Sequence, residues 1–159
     1  LHCSETPTAG VLLSYHVPVL FSVQGQKCPS AVLGPTCPDG WVGYRGKCYY
    51  FSEDRKDWAS SQTRCSALNA SLAVMDTRQD MDFMMRHCNL NHWIGLQMDQ
   101  QQHWKWANAL WLLSCRFQIE GFGACAYLYQ SMISSLGCNS EKHWICSKPD
   151  VFTKKSFLL

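Results

Sequence analysis

The sequence predicts an α+β domain, cross-linked by disulfides and matured in an oxidising compartment. Three observations predict it. Segments 57–68 and 77–88 carry helix start signals and apolar residues at helical spacing. Segment 40–51 and the stretch from His92 onward break into short alternating runs that suit strands. Ten cysteines in 159 residues exceed what a chain held in a reducing compartment retains.

The elements follow in order along the chain. The chain opens at Leu1 rather than Met, so it is expected to be a fragment. Val11 to Val23 is mostly apolar but contains Tyr15, His16 and Pro18. It is too short for a bilayer, which needs roughly twenty residues, and it lacks the basic flank and cleavage site of a signal peptide. Gly40–Tyr44 and Lys47–Phe51 alternate around Arg45-Gly46 and predict a hairpin. Asp57 is expected to cap a first helix running to about Leu68, with Trp58, Cys65 and Leu68 on one side. Thr77-x-x-Asp80 is a capping box. It opens a second helix to about Cys88, whose inner face is expected to carry Met81, Met84, Met85 and Cys88. A methionine stripe at that spacing reads as core. Strands are expected at Leu72–Val74, His92–Leu96, Trp104–Trp106, Ala124–Leu128, Ile133–Leu136 and His143–Ser147. The segment between Trp106 and Gly123 reads as one long loop, and loops of that length in compact domains usually carry function.

Composition excludes several functions. A hydrophobic content of 47% supports one domain with a real core. Charged residues make up 16%, below the usual share of about a quarter. The formal charge of +2 gives no footprint for nucleic acid. Lys148, Lys154 and Lys155 read as a solvated tail. There is no Cys-x-x-Cys pair, so a structural zinc site lacks its usual spacing. His87, Cys88 and His92 are the nearest approach to a ligand set, and no metal or other cofactor is expected. No serine sits in a nucleophile elbow, and the six histidines have no triad spacing, so the chain reads as no enzyme. His92 and His143 each precede a tryptophan and are expected at strand ends on the surface.

Six cysteines form a nested frame. Cys37 and Cys48 lie close together at the front, Cys65 and Cys146 enclose most of the chain, and Cys125 and Cys138 lie close together near the end. In register with them run Cys37-Pro38-Asp39-Gly40-Trp41, Lys47-Cys48-Tyr49-Tyr50-Phe51, Trp58, Leu72-Ala73-Val74, His92-Trp93-Ile94-Gly95-Leu96, Trp104-Lys105-Trp106, Cys125-Ala126-Tyr127-Leu128 and Trp144-Ile145-Cys146. This ordered series resembles the long form of the C-type lectin-like domain. It is most similar to the natural-killer-receptor group, and within that group to C-type lectin domain family 2, which includes the early activation antigen and the lectin-like transcript proteins.

The resemblance implies a C-type lectin-like fold over residues 37–149: two helices flanking two small antiparallel sheets, with a long loop region. It implies the pairs Cys37–Cys48, Cys65–Cys146 and Cys125–Cys138. Residues 1–36 would be the stem of a single-pass type II membrane protein, with an altered or truncated anchor possible, and residues 150–159 a C-terminal tail. Sugar-binding relatives hold calcium through Glu-Pro-Asn or Gln-Pro-Asp in the long loop and Trp-Asn-Asp before the penultimate cysteine. Calcium needs about six to eight oxygen ligands. Here the long loop holds one acid, Glu120, and no proline, and Ser135-Leu136-Gly137 precede Cys138. Calcium-dependent sugar binding is therefore not expected.

The resemblance implies instead recognition of a lectin-like receptor protein on another cell, with Tyr127, Asn139, Glu141 and Lys142 facing the partner. Other readings stand beside this. Tyr127 packs half-buried in its strand, Glu141 and Lys142 are solvated turn charges, or the domain is a calcium-independent lectin that binds carbohydrate by aromatic stacking. Cys28 is placed to bridge two stems into a homodimer. Cys88 and Cys115 either pair with each other or remain free thiols, and Cys3 has no assignable role. Leu110-Trp111-Leu112-Leu113 is unusually apolar, with Trp111 expected in the core. Asn69-Ala70-Ser71 is a glycosylation sequon.

Overall fold

A computed structural model describes residues 36–108 and 117–156, with side chains through Thr153. Most of the expected stem, with Cys3 and Cys28, lies outside the described residues, as do Leu110–Leu113 and Cys115.

The front hairpin forms as its sequence requires. β1 (Val42–Tyr44) and β2 (Lys47–Phe51) pair antiparallel through a two-residue turn. Arg45 and Gly46 take φ of 49° and 77°, the left-handed geometry that matches the twist of such a hairpin. The Cys37–Cys48 disulfide staples it.

α1 (Trp58–Ala67) starts at Asp57, whose carboxylate accepts from the Ser60 amide at 2.8 Å. Trp58, Ser61 and Cys65 form its buried face. Leu68 does not join them, and it is 41% exposed. It is the residue after the helix, where the backbone leaves the helical path and the periodicity ends. The Cys65–Cys146 disulfide, spanning 81 residues, ties α1 to the last strand. In the chain-entropy account a bridge of that span contributes about 4.5 kcal/mol.

α2 (Arg78–His87) carries the expected reciprocal box between Thr77 and Asp80. Its buried face is Met81, Phe83 and Met84, while Met85 and Cys88 are only partly buried. Phe83 displaces Met85 from the centre because the hairpin offers it aromatic partners. Its ring lies 4.2 Å from that of Tyr44 and 5.1 Å from that of Tyr49. Lys47 completes this junction, its ammonium 2.6 Å from the Asp76 carboxylate and 3.3 Å from the buried Asp80.

The remaining strands are β3 (Ser71–Leu72), β4 (His92–Met98), β5 (Trp104–Trp106), β6 (Ile119–Gly121), β7 (Cys125–Tyr129), β8 (Met132–Leu136) and β9 (His143–Pro149). The two expected sheets are joined into one, ordered β1-β2-β9-β4-β7-β8-β6. The join is β9, which is long enough to serve both. His143 and Trp144 pair parallel with His92 and Trp93 of β4, and Ile145 to Pro149 pair antiparallel with β2. The long segment is not all loop either, since β6 forms within it and pairs parallel with β8. After β9 the tail forms a short helix, α3 (Val151–Ser156). The Cys125–Cys138 disulfide links β7 to the chain beyond β8.

Two clusters make the core. Met81, Phe83, Met84, Ile94, Leu96, Leu128, Ile133 and Ile145 lie on one side of the sheet with Tyr49. Trp58, Leu72, Trp93 and Trp144 pack with the buried cystines on the other. Gly95 sits where β4 approaches the chain around Leu72 most closely. Its amide donates to the Ala73 carbonyl at 2.9 Å, and its carbonyl accepts from Ala107 at 2.6 Å. A Cβ at this position would lie 2.5 Å from the Leu72 carbonyl oxygen, a backbone atom that cannot swing away. Gly95→Ala is therefore expected to cost about 1–3 kcal/mol through overpacking. Urea unfolding checks it, and an unchanged midpoint would show that the strands separate freely here.

Candidate functional site

The cross-strand pairing of β4 and β7 sets Trp93 opposite Tyr127, and their rings meet edge-on, 5.8 Å between centroids at 90°. The chain then returns past them after Cys138. Lys142 pairs with Lys56 in an isolated antiparallel bridge, with both backbone hydrogen bonds at 3.0 Å. The Lys56 carbonyl also accepts from the Trp93 indole at 3.0 Å. This bridge draws Lys142 inward, so that its ammonium lies 4.2 Å from the Tyr127 ring centroid and 5.3 Å from that of Trp93.

The four residues expected at a partner surface thus divide. Tyr127 is half-buried on β7, and Asn139 and Glu141 are exposed in the turn that follows Cys138. Lys142 is not a solvated turn charge: the residue is 8% exposed. Burial, and after it the nearby Arg55 guanidinium, hold its pKa below the usual lysine value. Arg55 itself is exposed and donates to the Glu141 carbonyl at 2.7 Å.

Tyr127 does not stand alone. The register of β7 with β8 puts Tyr127 opposite Ser134, Tyr129 opposite Met132, and Cys125 opposite Leu136. These side chains share one face of the sheet, and Tyr129, Met132 and Leu136 are all exposed on it. Phe122, on the short connection between β6 and β7, is also fully exposed. Beside Tyr129 a cleft of about 340 Å³ opens, lined by Arg55, Leu90, Asn91, Lys142 and His143. Tyr129 was legible in the sequence, because it lies two residues beyond Tyr127 and so on the same strand face. Arg55 was not, since it reaches the site from 86 residues away.

The histidines depart from expectation. His92 is 5% exposed rather than at the surface. The parallel pairing of β4 and β9 sets it against His143, with ring centroids 5.4 Å apart, and the Phe51 ring meets it edge-on at 6.2 Å. Its Nδ1 lies 2.8 Å from the Leu90 carbonyl. Among the described residues, no three His, Cys, Asp or Glu side chains are grouped to hold a metal ion. Cys88 has a free thiol, and burial pushes its pKa up to about 12, so it is a poor nucleophile. Asn69 is exposed in the turn after α1, in the left-handed conformation that asparagine tolerates.

An α+β domain held by these three disulfides around a sheet of this strand order defines a domain of the C-type lectin-like class. The family model described as Lectin C-type domain matches residues 54–148. The chain is 43% identical to human C-type lectin domain family 2 member D over 77% of its own length and 64% of that protein. It is 41% identical to mouse early activation antigen CD69 over 72% of its length and 57% of that protein. It therefore spans about three fifths of these relatives. The mouse scavenger receptor C-type lectin carbohydrate-recognition domain superposes with a TM-score of 0.65 at 24% identity, over 71% of this chain and 96% of that one, which shows a shared fold. The chain belongs to the C-type lectin domain proteins, in family 2.

Burial depresses the pKa of His92. The hydrogen bond to Leu90 opposes that shift, and the neighbouring His143 adds to it. The unfolded chain therefore takes up a proton at His92 more readily than the native one does. Native stability is complete above the ordinary histidine pKa of about 6.5 and declines as pH falls below it. Melting temperature is expected to drop between about pH 7.5 and about pH 5.5, and His92→Gln to flatten that slope. Differential scanning fluorimetry across the range checks this, and equal slopes for the two proteins would remove His92 as the source.

Proposed function

We propose that this chain is the extracellular recognition region of a single-pass type II membrane protein, which binds a lectin-like receptor protein on another cell without calcium and without a chemical step. The observation that carries the reading is Tyr127, presented on an open sheet face and backed by Trp93 and Lys142. An aromatic residue held by its neighbours, with exposed apolar residues around it, is what an interface anchor requires. Asn139 and Glu141 form the polar rim, and Lys142 acts from beneath by holding the Tyr127 ring. Calcium independence rests on the oxygen ligands: Glu120 is the single acid between Trp106 and Gly123, and its carbonyl accepts from the Ser135 hydroxyl at 2.9 Å. Among the described residues no helix is long and apolar enough to cross a membrane. An anchor would belong to sequence outside them.

In this reading residues 1–36 are the stem, Cys28 bridges two copies into a homodimer, and Asn69 carries a glycan. Binding of carbohydrate is the alternative. Trp58, Trp93, Trp106 and Trp144 are buried and so are not available to stack on a sugar. A glycan array read in chelator separates the two.

Tyr127→Ala is expected to weaken receptor binding at least tenfold, or about 1.4 kcal/mol, with an unchanged far-UV spectrum. Surface plasmon resonance against a panel of lectin-like receptor ectodomains checks it, with and without chelator. Unaltered affinity for a bound receptor would sink the assignment of Tyr127. The stem bridge predicts a dimer on non-reducing electrophoresis that becomes monomer in Cys28→Ser.

A further inference from the structure

The cleft beside Tyr129 has an unusual charge balance. Arg55, Lys142 and His143 line it, and among the described residues no acidic one does. Lys142 offers its ammonium to two ring faces, and no carboxylate among the described residues pairs with it. Arg55 donates to a backbone carbonyl, and no carboxylate among the described residues forms an ion pair with it. The two cations are close enough for Arg55 to make protonation of Lys142 harder. The His143 ring is oriented by its Nδ1, 3.2 Å from the Ser52 carbonyl. Two like charges on residues that line one cavity, one of them mostly removed from water, favour an incoming anion, which relieves their repulsion and supplies hydrogen-bond acceptors.

The remaining walls say what kind of anion. Leu90 is 58% exposed and Tyr129 41% exposed, and both border the cleft. Asn91 adds an amide donor. A volume of about 340 Å³ is larger than one carboxylate requires, so the anion arrives with an apolar neighbour. Tyr129 belongs both to this cleft and to the sheet face that carries Tyr127.

We propose that the cleft receives an acidic side chain of the protein partner between Arg55 and Lys142, while an adjacent apolar side chain of that partner packs on Leu90 and Tyr129. This rests on the reading of the sheet face as a protein-recognition surface, and it adds the chemistry the partner must present.

The test titrates isotope-labelled chain with two short peptides, acetyl-leucyl-glutamate amide and its glutamine counterpart, and with sialyllactose. The glutamate peptide is expected to shift the Asn91 and Tyr129 amide resonances saturably at about 10 mM or below. The glutamine peptide is expected to leave them in place. Arg55→Ala is expected to weaken the glutamate peptide about fivefold, and Arg55→Lys to restore part of the loss. Arg55 is exposed, so these variants should fold, and their spectra report it directly. Equal shifts from both peptides, no saturation, or an unchanged affinity in Arg55→Ala would overturn the proposal. Sialyllactose shifting these resonances in place of the peptide would also overturn it, and would assign the cleft to an acidic sugar. A cleft that binds the glutamate peptide in a chain that no lectin-like receptor recognises would keep the cleft and remove the function proposed above.

Discussion

The structure depends on one strand being shared by two ladders. β9 begins parallel to β4 and continues antiparallel to β2. This strand joins the front hairpin to the long-loop half of the domain. Cys146, near its middle, anchors α1 through the longest disulfide. The same strand sets Trp144 beside Trp93 and His143 beside His92. Moving it by one residue would reverse which side chains face each core cluster. The Cys65–Cys146 bridge opposes that slip, because it holds the strand to a helix whose own face is set by Trp58 and Ser61.

The residues entering β9 gain their positions from the same arrangement. Lys142 immediately precedes the strand, and its bridge to Lys56 pulls it under the sheet face. A buried lysine without a carboxylate is costly in most settings. Here the faces of Tyr127 and Trp93 offset part of that cost, and the lysine in turn fixes the Tyr127 ring. In the function proposed above this rigidity matters, since a ring already held loses little freedom on binding. To either side of Tyr127 on the same face, Tyr129 and Met132 at one end of the ladder and Leu136 at the other remain exposed.

Electrostatics and packing therefore meet at one edge of the molecule. On the far side, Lys47 is balanced by Asp76 and Asp80, and that cation serves to join hairpin and helix. Beside Tyr129 the cations have no such partners within the described residues. The difference is one of setting: Lys47 faces the N-terminus of α2, where the Asp80 carboxylate also accepts from the Asp76 and Thr77 amides, whereas Arg55 and Lys142 line a cleft with amide, imidazole and apolar groups.

The sequence by itself determined the elements whose signals are local. Asp57 and the Thr77–Asp80 box start their helices because a cap needs only residues three positions apart. Arg45-Gly46 turns the hairpin for a similar reason, and the nested cysteines with their tryptophans were enough to place the family. Tertiary structure alone decided the burial of Lys142 and His92, the exposure of Leu68, the seating of Phe83 in place of Met85, and the parallel pairing of β6 with β8. Each depends on a surface supplied from far along the chain: Lys56 for Lys142, β9 for His92, the hairpin aromatics for Phe83, and β8 for β6. Periodicity reports which residues share a face. What covers that face is settled by packing between distant segments, and for this reason the cleft beside Tyr129, which draws Arg55 and Lys142 from opposite ends of the domain's sequence, could not be named in advance.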